Sequence, residues 1–186
     1  MATEHSEPAS TTPPDLANPT RVITTTNPEN GISIFDKTHD ESLPVVFSVA
    51  GSHFRLAYAS GPVPEALDGT DITTYGEHLQ NLPPLVRPDG GANVWYIDTP
   101  PGAGGPMHRT ISLDFVTVLE GEVELNLDSG EKRTLKAGDT CIQRSTAHQW
   151  KNHSKDKWVR FLGVIVAAQP IALADGTTLG SMGLDG

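Results

Sequence analysis

The stretch Pro101–Gly121, PGAGGPMHRTISLDFVTVLEG, decides how the rest of the chain is interpreted. A glycine-rich turn precedes His108, and Asp114 follows six residues later at the start of a valine-rich run. Alternate side chains of a β-strand lie on the same face, so His108, Thr110 and Asp114 are predicted to point to one side. The stretch therefore predicts a strand that carries an imidazole and a carboxylate on one face.

A second set of residues with matching alternation follows downstream, at His148, Trp150 and Asn152. If the two strands belong to one barrel, His108, Asp114 and His148 point into the same interior. Two imidazoles and a carboxylate are able to hold one divalent metal ion and leave coordination positions open. Alternatively, Asp114 accepts the ring N–H of His148 and the two form an acid–base pair without metal.

Most of the remaining sequence predicts short strands. The run Glu122–Asp128 alternates apolar and polar residues and ends at a glycine-containing turn, which is typical of a half-buried hairpin. Strands separated by turns about every 8–12 residues favour an all-β barrel or sandwich. A short helix is expected only near Thr73–Gln80, and the role of residues 62–92 is left open. Further strand predictions are Arg21–Thr26, Ile32–Phe35, Val45–Ala50, Phe54–Ser60 and Ala92–Thr99.

The domain organisation follows from composition. Residues 1–20 are rich in Pro, Ser, Thr and Ala, so we expect a flexible N-terminal arm. Residues 21–168 are predicted to form one barrel domain, with an N-terminal strand extension before the central segment 92–168. Residues 169–186 return to small residues and are interpreted as a C-terminal tail.

Charge and composition exclude several classes of partner. The formal net charge of −10 argues against nucleic acid and anionic membrane, since both need a basic face. One cysteine, Cys141, excludes an internal disulfide. The sequence contains neither a span-length apolar run nor the apolar region of a signal peptide. We therefore expect a cytoplasmic protein that acts on a small molecule.

The spacing of these residues resembles the cupin superfamily, whose fold is a small antiparallel jelly-roll barrel. Gly102, His108, Asp114 and Gly121 keep the intervals of the first cupin motif. The second motif is matched by Gly138-Asp139 at its start and by His148 and Asn152 at its end. The resemblance covers residues 92–168 and implies a single cupin barrel. It also implies a homodimer, since cupin relatives often pair through extra strands.

The chain departs from the cupin pattern at four positions. Thr110 stands where the first motif has its second histidine, and Asp114 replaces a longer glutamate. Arg144 and Thr146 replace the proline and glycine of the second motif. The guanidinium fork of Arg144 is suited to hold a substrate carboxylate or phenolate.

The resemblance is strongest to small single-domain cupins, many of them fungal and encoded with secondary-metabolite pathways. It implies a lyase, either a dehydratase or a decarboxylase, that acts on a polyketide-like or aromatic substrate. The alternatives are a metal-dependent dioxygenase and a small-molecule-binding protein without catalysis. The predicted catalytic residues are His108, Asp114, His148 and Arg144; the predicted ligands of one divalent metal ion are His108, Asp114 and His148; and the predicted pocket residues are Thr110, Trp150 and Asn152.

Overall fold

The computed structural model describes residues 16–183 of the chain and is dominated by β-strands. The strands are β1 Thr24–Thr26, β2 Ser33–Phe35, β3 Phe47–Val49, β4 Ser52–Ala59, β5 Ala92–Thr99, β6 Ser112–Glu120, β7 Glu122–Leu127, β8 Lys132–Lys136, β9 Thr140–Arg144, β10 His148–Lys151 and β11 Val159–Ala167, and the helix is α1 Thr70–Gln80. The predicted all-β class is confirmed.

Two antiparallel sheets form the barrel. One has six strands in the order β3-β4-β5-β11-β6-β9, and the other has three in the order β10-β7-β8. Apolar side chains from both sheets share one core, in which Val123 of β7 and Trp150 of β10 lie with Val118 of β6 and Phe161 of β11. The short β1-β2 pair forms a separate sheet. This is the predicted jelly-roll barrel with an N-terminal strand extension.

The helix α1 covers one side of the barrel and begins three residues before the predicted helix. Its buried Tyr75 donates a hydrogen bond of 3.0 Å to the carbonyl oxygen of Leu56, and its ring lies 4.8 Å from that of Tyr58, centroid to centroid. After the helix, Leu85 reaches the interior of the barrel. The segment 62–92 thus contributes the side chain of Leu85 to the lining of that interior. Within residues 16–183, no helix combines the length and the apolar character that crossing a membrane requires.

The N-terminal segment is fastened to the outer face of the six-stranded sheet by a buried ionic cluster. Asp98, fully buried, accepts hydrogen bonds from Arg55 and from Arg160. Arg160 also donates to the carbonyl oxygen of Ala17 at 2.7 Å, and Arg55 to that of Leu43 at 3.1 Å. Ala17, in the predicted arm, thus contacts the barrel through this cluster. The first fifteen residues of the predicted arm lie outside the described part of the chain.

Replacement of Asp98 by asparagine is expected to lower the free energy of unfolding by about 3 kcal/mol, because two buried guanidinium groups lose their shared counter-charge. Urea denaturation of the purified variant measures this change. The control is Asp128→Asn, since the carboxylate of Asp128 is 61% exposed and lies 3.9 Å from the guanidinium of Arg109. That control should change stability by less than about 0.5 kcal/mol. Equal losses in the two variants would contradict the role given to Asp98.

Candidate functional site

A cavity of about 390 Å³ lies inside the barrel. Its wall is largely apolar and aromatic, and the ionisable side chains that line it are His108, Asp114 and His148. Thr110 and Trp150 also line it. Five of the residues predicted for the site therefore border one cavity, although they come from different strands and loops. Further lining residues are Phe47, Phe54, Leu85, Ile97, Val116, Gln143, Phe161, Gly163 and Ile165.

The two histidines are brought together by their own backbones. The N–H of each donates a 2.9 Å hydrogen bond to the carbonyl oxygen of the other, so that His108 lies beside β10 just before β6 begins. Their ring centroids are 4.1 Å apart. The next residue, Arg109, exchanges backbone hydrogen bonds of 2.9 and 3.0 Å with Met182 of the C-terminal tail. The C-terminal tail thus holds the loop that presents His108.

The hydrogen bonds of the two imidazoles assign their protons. Nδ1 of His108 lies 3.0 Å from the carbonyl oxygen of Pro106, and Nδ1 of His148 lies 2.9 Å from that of Thr146. A carbonyl oxygen only accepts, so each Nδ1 carries the hydrogen and each neutral ring has its lone pair on Nε2. The lone pair of His148 is engaged by Gln143, whereas Nε2 of His108 has no hydrogen-bond partner among residues 16–183. His108 is the imidazole available as a base.

Gln143 links the acid to the second histidine and was missed by the sequence analysis. Its side-chain Nε2 lies 3.2 Å from Oδ2 of Asp114 and 2.7 Å from Nε2 of His148. It is 4% exposed and lies directly across from Asp114 in the β6–β9 pairing. The register of the β6–β9 pair would have identified Gln143, because a residue paired with Asp114 on the neighbouring strand lies on the same face of the sheet.

Burial shifts the pKa of both the acid and the second histidine towards their neutral forms. Asp114 is 5% exposed, and its desolvation raises the carboxyl pKa against the opposing effects of hydrogen bonds from Ser112 and Gln143 and of the charge that His108 carries when it is protonated. Desolvation, with a smaller contribution from a protonated His108, lowers the pKa of His148 to about 4. His148 is therefore neutral near pH 7, and the Asp114 carboxyl is protonated more readily than an exposed aspartate.

The predicted metal ligands do not fit a three-residue metal centre in this arrangement. In the part of the chain from 16 to 183, no three or more His, Cys, Asp and Glu side chains group in a way that could hold a metal ion. The amide of Gln143 bridges Asp114 and His148 and uses the histidine lone pair that a metal ion would need. The divalent metal ion stays a prediction.

Arg144, predicted as catalytic, is not part of the cavity wall. It is exposed at the end of β9, where its neighbour Gln143 is buried and borders the cavity. Alternation along the strand turns the two side chains to opposite faces. The correction is that Gln143, and not Arg144, is the β9 residue of the site.

Asn152, predicted as a pocket residue, is structural. Its side-chain amide donates hydrogen bonds of 3.1, 3.1 and 2.8 Å to the carbonyl oxygens of Thr99, Pro100 and Lys157. Asn152 lies beyond the end of β10 and is 1% exposed, so alternation no longer applies to it. Thr110 does line the cavity, where its hydroxyl is hydrogen-bonded to that of Ser112 at 2.7 Å.

The position of the second motif's glycine is also corrected. Ser145 has a φ of 51°, the left-handed conformation that glycine adopts without steric cost. Its hydroxyl donates to the carbonyl oxygen of Thr110 at 2.8 Å and ties this turn to the first motif. Ser145, and not Thr146, therefore occupies the glycine position.

Comparisons with known proteins agree with this architecture. Residues 95–165 match the family model described as Cupin domain. The chain is 40% identical to phomopsin biosynthesis cluster protein C' of Diaporthe leptostromiformis over 91% of this chain and 88% of that protein. It is also 40% identical to oryzines biosynthesis cluster protein J of Aspergillus oryzae, over 84% and 87%. The cupin-domain-containing oxidoreductase srdB of Neurospora crassa is 37% identical, over 85% and 78%. The chain therefore belongs to the cupin family.

Proposed function

We propose that this protein is a lyase of secondary metabolism that removes water or carbon dioxide from a small polyketide-like or aromatic molecule. The observation that carries the proposal is the pairing of a free imidazole lone pair, on His108, with a buried carboxyl, on Asp114, around one apolar cavity. An apolar wall lowers the local dielectric constant, which strengthens each polar interaction beside it. The names of the two biosynthesis-cluster relatives support a substrate from secondary metabolism.

In the dehydration that we favour, Nε2 of His108 removes a proton from the carbon next to a carbonyl group of the substrate. The electron pair of that C–H bond forms the new C=C bond while the C–O bond to the leaving hydroxyl breaks. Asp114 donates its proton to that oxygen, so water leaves. The imidazolium then returns a proton to the carboxylate by way of solvent, and both groups are reset.

Gln143 and His148 act as positioning residues. The amide of Gln143 holds the Asp114 carboxyl in place, and His148 keeps the amide oriented by accepting its second hydrogen bond. A neutral His148 beside His108 also avoids a second positive charge when the base becomes protonated. Decarboxylation would use the same groups, with a C–C bond broken in place of the C–O bond and a proton delivered to carbon.

Proton abstraction provides a direct test of the proposal. Aromatic β-hydroxy ketones that carry two deuterium atoms on the carbon next to the carbonyl are incubated with the metal-free protein in ordinary buffer, and mass spectrometry follows the loss of water and of one deuterium atom. We expect both losses together, and we expect both to require His108. Substrates that lose neither water nor deuterium would leave a binding protein as the better description.

A metal-dependent oxidoreductase is the second candidate, favoured by the name of the Neurospora crassa relative. Under the lyase proposal, protein produced with added iron and then desalted should retain well under one metal ion per chain. Its turnover should also be unchanged by a chelator. Elemental analysis of the wild type and of His108→Ala tests this. One metal ion per chain in the wild type, lost in the variant, would favour the oxidoreductase.

A further inference from the structure

Gly163 opens one wall of the cavity. On β11, the alternation that places Phe161 and Ile165 in the cavity wall also places Gly163 there, between two large side chains. A Cβ built on Gly163 would meet no atom within 4 Å, and its backbone is not in the left-handed region. In contrast, a Cβ on Gly91 would lie 2.3 Å from the carbonyl oxygen of Ser60. Neither chain conformation nor close packing requires glycine at 163, so its effect is to leave empty volume inside the barrel.

The wall offers no permanent positive charge. No lysine or arginine is among the lining residues found in the described part of the chain, and the guanidinium of Arg144 is exposed outside. Both ring nitrogens of His148 are engaged as those of a neutral imidazole, by Thr146 and Gln143. An anionic ligand would therefore lose its hydration and find a carboxyl group, on Asp114, beside it, with the partly exposed imidazole of His108 as the titratable lining group able to offset its charge. Burying an ionised group without a partner costs several kcal/mol.

We infer that the cavity takes an uncharged ligand and that Gly163 sets how wide this ligand can be. The inference depends on the proposed function only for the location of the site. It narrows the substrate class to neutral molecules, and a free carboxylate on the substrate is disfavoured. Dehydration is therefore a better match to this cavity than decarboxylation of a carboxylate.

Calorimetric titration at pH 8 with 2-naphthol, 2-naphthoate and phenol tests the inference without any turnover. The two naphthyl probes share one ring system and differ in charge. We expect 2-naphthol to bind to the wild type, and 2-naphthoate to bind at least tenfold more weakly. Equal or tighter binding of 2-naphthoate, or no binding of 2-naphthol, would overturn the inference.

Variants at position 163 test the width. Gly163→Val should weaken 2-naphthol at least tenfold while phenol still binds, and Gly163→Ala should give a smaller loss if the valine variant does not fold. Val164→Leu is the matched control, because it adds volume to the same strand on the face away from the cavity. A folded Gly163→Val protein that binds 2-naphthol like the wild type would disprove the role of Gly163. Because binding is the readout, these results stand even if the lyase assay fails.

Discussion

Replacement of His108 by glutamine is expected to reduce turnover by about 10²–10⁴-fold, the range typical of losing a general base. Glutamine keeps a polar side chain of similar reach but has no basic lone pair. The fold should be retained, because the backbone hydrogen bonds between residues 108 and 148 do not involve the side chain. Steady-state rates on a substrate that the deuterium assay identifies measure the loss, and circular dichroism checks the fold.

The control for this variant is His153→Gln. His153 is 55% exposed, and its Nε2 lies 3.0 Å from a carboxylate oxygen of Glu124, outside the cavity wall. We expect its turnover to match the wild type. A His108→Gln protein that retains wild-type turnover would remove the proposed base and with it the elimination mechanism.

Replacement of Asp114 by asparagine is expected to lower turnover by a comparable factor, about 10²–10⁴, because an amide cannot donate the proton that the leaving oxygen needs. The amide oxygen still accepts the hydrogen bond from Gln143, so the geometry is kept. The wild-type rate should also fall at high pH as Asp114 ionises, at a pH above the range of an ordinary aspartate, since burial raises its pKa. The asparagine variant should lack this dependence.

The same variant should be more stable than the wild type at neutral pH. The pKa of Asp114 is raised in the folded state, so the folded protein binds more protons than the unfolded chain between the two pKa values. The stability of the wild type therefore decreases as pH rises through that window. Asparagine does not ionise, so the variant does not lose this stability. Urea unfolding at pH 4 and pH 7 should show a gain for Asp114→Asn that is larger at pH 7. An Asp114→Asn protein that is less stable than the wild type at pH 7 would contradict the argument from burial. The control, Asp128→Asn, should not be more stable than the wild type at either pH.

Much of the barrel was predictable because its strands alternate regularly. The predicted strand at Ala92–Thr99 has the observed bounds, and the hairpin of β7 and β8 follows its apolar–polar pattern. The meeting of His108, Asp114 and His148 also followed from alternation. These predictions succeeded because burial on one face determines which residues a strand can use.

The errors lie where alternation is interrupted. Gln143 and His148 have opposite parity, yet both line the cavity, because the left-handed turn at Ser145 reverses which residues face inward. Parity counted back from His148 would place Arg144, and not Gln143, on the inward face, whereas Arg144 was proposed for the anion-binding geometry of its guanidinium. Nothing in the local sequence signals this reversal, since serine is not the residue that such a backbone conformation favours. The homodimer and the cytoplasmic location stay predictions.

The two backbone hydrogen bonds between Arg109 and Met182 limit which substitutions the C-terminal tail can accept. A Cβ at Gly183 would lie 2.3 Å from the carbonyl oxygen of Met107 and 3.1 Å from Cα of His108, so a side chain there would displace the residue that we propose as the base. The C-terminal tail is thus a structural support of the loop that carries His108, despite its distance along the sequence. A substitution at Gly183 is therefore expected to alter the cavity, although this residue lies close to the end of the chain.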